Sequence, residues 1–126
     1  MSALPIPPQY NHVMPYLIVP DALGLMKFLQ TVFSATEQSK HLTDDGKLMH
    51  GEVRIGESVL MISEASDQWA AQPAGLYIHH SNADEGYRTA LNAGATSVME
   101  PADQPYGRSC GVKDPHGNTW WITTAP

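Results

Sequence analysis

The chain has 126 residues, of which 42% are hydrophobic and 16% charged, and this composition suits one compact domain rather than a disordered segment. Its formal net charge of −6 argues against nucleic-acid binding, because an acidic surface repels phosphate backbones. The sequence has one cysteine, no signal-peptide pattern at its start and no apolar run near the ~20 residues of a membrane helix. We therefore expect a cytoplasmic protein with no nucleic-acid or membrane partner.

A proline-rich arm over residues 1–11 precedes the first predicted unit. A strand is predicted over residues 12–19, with Pro15 at an edge or a bulge because proline donates no ladder hydrogen bond. Asp21 is a good N-cap, and apolar residues at helical spacing behind it predict a helix from Ala22 to about Phe33. Alternating patterns and turn signals then predict three strands, at residues 35–43, 48–55 and 58–63.

The same β-α-β-β-β order follows a predicted linker at residues 64–74. A helix is predicted from Ser81 or Asn82 to about Ala93, with Gly94 as its stop. The predicted strands of this second unit are residues 75–80, 96–99, 109–113 and 119–124. Residues 114–118 have the composition of a turn, so His116 is not a catalytic candidate.

The two units match at a nearly constant offset. Residues 19–22 fall on residues 80–83, and Gly56 falls on Gly117, each at an offset of 61. The sequence therefore predicts a single α+β domain over residues 1–126. It contains two tandem βαβββ modules, over residues 12–65 and 74–124, which form a curved mixed eight-stranded sheet around a cleft.

This doubled pattern resembles the vicinal oxygen chelate superfamily of glyoxalases, bleomycin-resistance proteins and extradiol dioxygenases, especially its phosphonate-operon-type, glyoxalase-like branch. The motifs that carry the resemblance are residues 15–22, 49–56, 104–108 and 114–118. The resemblance implies a pocket inside the curved sheet and usually a homodimer. It also implies metal ligands on the first and fourth strands of each module. Those positions here hold Met14, Leu60, Gly75 and Trp121, none of which is His or Glu, so no cofactor is expected.

Candidate reactive groups lie on the predicted concave face. His50 and Glu52 share one face of their strand, as an acid–base pair or as an ordinary polar pair. His50 and Cys110 match at an offset of 60, so Cys110 is also predicted to point to the concave side, as a nucleophile or as a small buried thiol. A shifted metal site on His12, His50 and His79 is an alternative.

The aromatic residues predict an apolar wall for a ligand. Tyr16, Tyr77 and Trp121 fall on the cavity side, and Trp69 could cover a pocket mouth or act as a plain hydrophobic anchor. Arg108 could clamp an anionic ligand group or form a surface salt bridge. The predicted ligand contacts are Tyr16, His50, Tyr77, His79, Tyr106, Arg108, Cys110 and Trp121.

Two functions follow as hypotheses. The first, which the loss of the ligand positions favours, is metal-independent binding of a small hydrophobic or aromatic molecule, as in sequestration or resistance. The alternative is a lyase, isomerase or dioxygenase-type enzyme that uses His50 and Glu52 or the histidine metal site. A third possibility is a domain with a filled cleft that serves only in dimeric association.

Overall fold

The computed structural model describes residues 4–126, so the predicted arm is described only from residue 4 onward. Within this range, eight strands and two helices repeat the predicted order twice. Module one consists of β1 (Tyr16–Val19), α1 (Ala22–Phe33), β2 (Thr36–Leu42), β3 (Leu48–Ile55) and β4 (Ser58–Glu64). Module two consists of β5 (Gly75–His79), α2 (Ala83–Asn92), β6 (Thr96–Gln104), β7 (Gly107–Lys113) and β8 (Thr119–Thr124).

Hydrogen bonds divide the eight strands into two sheets of four. The strand order is β1-β4-β3-β2 in the first sheet and β5-β8-β7-β6 in the second. In each sheet the first and fourth strands of the module pair in parallel, and the remaining neighbours are antiparallel. The α+β fold of two tandem βαβββ modules is confirmed, with the strands forming two separate hydrogen-bonded sheets.

The start of α1 is fixed by two carboxylates. The side chain of Asp21, in the left-handed region at φ 55°, accepts a hydrogen bond from Gly24 N. Glu64, at the end of β4, accepts from the backbone N–H groups of Asp21 and Ala22 at 2.9 and 3.0 Å. These bonds satisfy N–H groups that a helix start otherwise leaves without partners, and they join α1 to the neighbouring strand.

The start of α2 uses the predicted cap. The side chain of Asn82 accepts a hydrogen bond from Glu85 N at 3.2 Å. Two acidic residues in the first turn interact favourably with the positive end of the helix dipole. Gly94 follows the helix at φ 103°, the left-handed conformation that a C-terminal glycine allows.

Prolines explain two differences between the predicted and observed strands. The first strand begins at Tyr16, directly after Pro15, and not at residue 12. Conversely, β6 runs to Gln104 through Pro101, where the prediction ended at residue 99. Proline is tolerated there because β6 is an edge strand and its register shifts between Met99 and Ala102.

The modules meet through their helices and share one cluster of buried apolar side chains. The rings of Phe33 on α1 and Trp120 on β8 lie 5.0 Å apart. The turn at residues 114–118 is built around the buried Asp114, which accepts from Trp120 Nε1 at 2.8 Å. His116 in that turn bonds through Nδ1 to the carbonyl of Pro20, so this histidine links module two to the start of α1.

Candidate functional site

One face of each sheet packs against the helices, and we call the opposite side the open face. On β3, a Cβ placed on Gly51 would meet Met26 of α1 at 2.9 Å, so Gly51 faces the helix. The alternation of a strand then places His50 and Glu52 on the open face of the first sheet. Tyr16 of β1 pairs with Met61, and Met61 pairs with Glu52, so all three share this face.

Three predicted site residues form a hydrogen-bonded chain on that face. The hydroxyl of Tyr16 lies 3.2 Å from His50 Nδ1. The other ring nitrogen, His50 Nε2, lies 2.9 Å from Glu52 Oε2. Tyr16 is 48% exposed, whereas Glu52 is only 3% exposed, so these hydrogen bonds connect the surface to a buried carboxylate.

The carboxylate of Glu52 accepts two further hydrogen bonds. Tyr10 of the N-terminal arm donates to Oε2 at 2.7 Å, and Gln38 of β2 donates to Oε1 at 3.1 Å. Burial by itself raises the pKa of Glu52, but the hydrogen bonds from His50, Gln38 and Tyr10 outweigh it and lower that pKa below its ordinary value. The glutamate is therefore ionised at neutral pH, and its negative charge in turn raises the pKa of Tyr10, chiefly through their hydrogen bond.

A cavity of about 650 Å³ opens beside this chain. It lies between the β2–β3 turn, the end of β4 and the linker, and Tyr16 lines it together with Met49 and Trp69. Met49 and Trp69 are each 57% exposed. Asp45 and Lys47 place opposite charges in its lining. We call this space the first cavity, and Trp69 of the linker is one of its lining residues.

A second cavity of about 520 Å³ lies between the modules. Tyr77 and His79 of β5 line it, facing Leu60 and the end of the N-terminal arm. The rings of Tyr77 and His79 are 5.4 Å apart in an edge contact. Within one chain, the predicted contacts Tyr16 and Tyr77 therefore lie in different cavities.

Cys110 was predicted to point to the concave side, and this prediction was wrong because the side chain does not reach the open face. Its side chain is fully buried toward α2, with Sγ 3.7 Å from the carbonyl of Ala83. Burial raises the pKa of the thiol to about 11, which opposes a nucleophilic role. Arg108, on the same face of β7, bonds to Asp84 of α2 and to Asp103 of β6, so it forms the salt bridge that was the alternative to a ligand clamp.

The error in Cys110 came from a one-residue slip in register. Cys110 pairs with Ile122, as Gly51 pairs with Ile62, so the counterpart of Cys110 is Gly51 and not His50. The counterpart of Glu52 is likewise Gly111, which pairs with Trp121. Successive residues of a strand point to opposite faces. An offset between the modules that is wrong by one residue therefore assigns a side chain to the wrong face of its sheet.

Two other predicted contacts lie on the second sheet. Trp121 covers Gly111 on the open face, where an added Cβ would come within 2.5 Å of Trp121 Cζ3. Tyr106 is 54% exposed at the turn between β6 and β7, and it lines neither cavity.

The residues at the family's metal positions do not fit a metal. Leu60 was predicted at one of these positions, and that prediction was wrong by one residue. Met61 pairs with Glu52 as Trp121 pairs with Gly111, so the counterpart of Trp121 is Met61. Met14, Met61, Gly75 and Trp121 offer no carboxylate or imidazole donor to a divalent ion. Among residues 4–126, no three His, Cys, Asp or Glu side chains converge as a metal site would require, and this includes the set His12, His50 and His79.

The sequence missed two residues of the site, Tyr10 and Gln38. Both reach Glu52 from segments distant in the chain, separated from it by 42 and 14 residues. Tyr10 lies in an arm with no strand or helix pattern, and nothing in the sequence marks it as a partner of Glu52. For Gln38, the cross-strand pairing of Ser39 with Glu52 is the only signal, and this requires the register of β2.

Neither helix in the described part of the chain is long and apolar enough to cross a membrane. The architecture defines a protein built from two βαβββ modules. A family model described as the glyoxalase/bleomycin resistance protein/dioxygenase superfamily matches residues 9–122, and the chain therefore belongs to this superfamily. The resemblance in the sequence is thereby confirmed.

The chain is also similar to an uncharacterized mycobacterial protein and to solved structures that share its fold. The uncharacterized protein Mb0911c of Mycobacterium bovis is 31% identical, with 84% of this chain and 78% of that protein covered. The crystal structure of TioX from Micromonospora sp. ML1 matches with a TM-score of 0.74 at 22% identity, covering 92% of this chain and 99% of TioX. TnmS3, an antibiotic binding protein from Streptomyces sp. CB03234, matches with a TM-score of 0.68 at 16% identity, covering 92% and 98%. At these identities the two structures show a shared fold.

Proposed function

We propose that this protein binds a small, flat, aromatic or hydrophobic molecule in the first cavity without using a metal ion. The observation that carries the proposal is the exposure of Tyr16, Met49 and Trp69 around one space of about 650 Å³. This volume lies within the range of roughly 300–1,000 Å³ that is usual for small-molecule sites. Covering these side chains with a ligand would remove apolar surface from water at about 25 cal/mol per Å².

The polar groups of the cavity support an oriented ligand. The hydroxyl of Tyr16 provides a hydrogen-bonding group in the wall, while Asp45 and Glu64 supply two negative charges and Lys47 supplies one positive charge. Polar groups placed beside apolar side chains fix the orientation of a ligand in a small-molecule site. The fold that is shared with an antibiotic binding protein agrees with a role in sequestration or resistance.

Tryptophan fluorescence tests the proposal, since the chain has three tryptophans in different surroundings. The probes are two planar tricyclic compounds of opposite charge, proflavine and anthraquinone-2-sulfonate. We expect saturable quenching by at least one probe that is retained in Trp121→Phe and lost in Trp69→Phe, because only Trp69 lines the first cavity. Absence of saturable quenching with both probes would contradict binding, and loss only in Trp121→Phe would move the site to the second sheet.

We also propose that the protein is a homodimer in which the second copy adds contacts to the ligand. The support is the separation of the predicted contacts, with Tyr16 on one open face and Tyr77 and Trp121 on the other. Tyr77 is 54% exposed in the single chain. Sedimentation equilibrium at micromolar concentration should give twice the chain mass, and a monomer mass over the whole concentration range would exclude the dimer.

A further inference from the structure

We infer that Tyr16, His50 and Glu52 form a proton relay that makes the Tyr16 hydroxyl an acid–base group in the wall of the first cavity. The protein would then carry out proton transfer on a small molecule bound there. The inference rests on the proposed function only for the position of that molecule. The relay consists of three hydrogen-bonded side chains, and none of them lies at a metal position of the family.

The hydrogen-bond pattern decides which nitrogen of His50 carries the proton. Glu52 is ionised, and an ionised carboxylate only accepts, so His50 Nε2 must donate to Glu52 Oε2 across 2.9 Å. In the neutral imidazole, Nδ1 then has a free lone pair. The Tyr16 hydroxyl 3.2 Å away must therefore donate its proton toward Nδ1. This is the hydroxyl–imidazole–carboxylate order of a catalytic triad, with tyrosine as the hydroxyl.

The proton movements balance without a cofactor. The Tyr16 proton passes to His50 Nδ1, and the phenolate oxygen takes a proton from an acidic O–H or C–H group of the bound molecule. The positive charge that forms on His50 is stabilised by the negative charge of Glu52, which remains ionised throughout. The reverse steps return a proton to the same or a neighbouring atom. The substrate class is thus a small molecule with an acidic hydroxyl, or with a C–H bond beside a carbonyl group that can hold the resulting charge.

Tyr77 provides a matched control within the same chain. It pairs with Trp121 as Tyr16 pairs with Met61, so the two tyrosines have equivalent places in the two modules. Their exposures are similar, 54% for Tyr77 and 48% for Tyr16. Tyr77 contacts the ring edge of His79, but no hydrogen bond joins the two side chains in the described residues. In the single chain, exposure therefore does not distinguish the two tyrosines, whereas the relay does.

The experiment uses benzenesulfonyl fluoride as a probe of phenol reactivity, followed by mass spectrometry of the modified peptides. The Tyr16 oxygen attacks sulfur, the S–F bond breaks, fluoride leaves and the phenol proton passes to His50. We expect Tyr16 to react at least about tenfold faster than Tyr77, a conservative figure for general-base assistance. His50→Phe, which keeps an aromatic ring but has no nitrogen, should reduce the rate at Tyr16 to that of Tyr77. Equal rates in the wild-type protein, or no loss in His50→Phe, would overturn the relay.

The positioning role of Glu52 has its own readout. In ¹⁵N NMR spectra of the wild-type protein near neutral pH, neutral His50 should be the Nε2–H tautomer. Glu52→Gln should mix the two tautomers and reduce the labelling rate at Tyr16, while the rate at Tyr77 stays unchanged. An Nδ1–H tautomer in the wild-type protein would contradict the relay even if a variant failed to fold. Because the probe is a small reagent, rapid labelling of Tyr16 without quenching by either dye would retain the relay and reject the proposed ligand site.

Discussion

The open faces of the two modules occupy matching positions in a doubled scaffold but carry different chemistry. In module one, β3 contributes His50 and the buried carboxylate of Glu52. In module two, the counterpart of Glu52 is Gly111, and the ring of Trp121 covers it. One face therefore holds a charge that three hydrogen-bond donors satisfy, while the other is closed by an aromatic ring on a glycine.

The helix-facing sides of the same sheets are much more alike. Val53 and Val112 occupy equivalent positions, as do Ile62 and Ile122, and all four are buried. These side chains must fill the space beneath a helix, which restricts their size and polarity. Among residues 4–126, no helix covers the open faces. The duplication therefore determines the scaffold, whereas each open face has its own chemistry.

The largest effect should come from Leu60 and Trp120, a helix-facing pair whose two side chains differ greatly in size. Trp120→Ala should destabilise the protein by about 3–5 kcal/mol, because the indole is buried beside Phe33 and donates to Asp114. Leu60→Ala should cost about 2–5 kcal/mol. Urea unfolding followed by circular dichroism measures both. If Trp120→Ala cost less than Trp121→Ala, the assignment of the two neighbours to opposite faces would be wrong.

Gly111→Ala tests how module two closes its open face. The added methyl group would meet Trp121 at 2.5 Å, so we expect a loss of about 1–3 kcal/mol from overpacking. In the Trp121→Ala background the same substitution should cost almost nothing. Thermal unfolding of the two single variants and the double variant measures this coupling. Additive effects would show that the ring of Trp121 does not lie on Gly111.

Glu52→Gln tests the charge on the open face of module one. At neutral pH it should cost about 1–3 kcal/mol, because one amide cannot accept all the bonds that the carboxylate accepts. The lowered pKa of Glu52 also gives a pH dependence. Its stabilisation is complete above the ordinary value of 4.5 and is lost as the pH falls through the lower folded-state pKa. Urea titrations at several acidic pH values should show a shallower loss in Glu52→Gln than in the wild-type protein.

The smallest effect at neutral pH should concern Cys110. Iodoacetamide should not modify the folded protein, since the thiol is buried and its pKa is raised to about 11, but it should react fully in urea. The unfolded thiol loses its proton near its ordinary value of 9.0, so stability should fall as the pH rises from about 9 toward 11. Cys110→Ser should reduce this alkaline loss. Fast modification under native conditions would mean that β7 has the opposite register.

The scaffold of this protein follows from its amino-acid sequence. Strand alternation, helical spacing, caps and turn residues are local signals, so they predicted both βαβββ modules. A resemblance in four motifs pointed to the superfamily that residues 9–122 match. The local signals also placed His50 and Glu52 on one face, because period-two alternation within a strand does not depend on distant residues. The prediction for β6 ended too early, since the edge position that tolerates Pro101 is a property of the sheet.

The composition of the site depends on tertiary contacts. The face on which Cys110 lies depends on a one-residue difference in register between β3 and β7, which becomes visible in the pairing with β4 and β8. The partners of Glu52 come from the N-terminal arm and from β2, and Trp69 reaches the first cavity from the linker. These contacts join segments that are far apart in the chain, so local sequence patterns do not predict them. Folding alone brings the donors to a buried carboxylate that needs them.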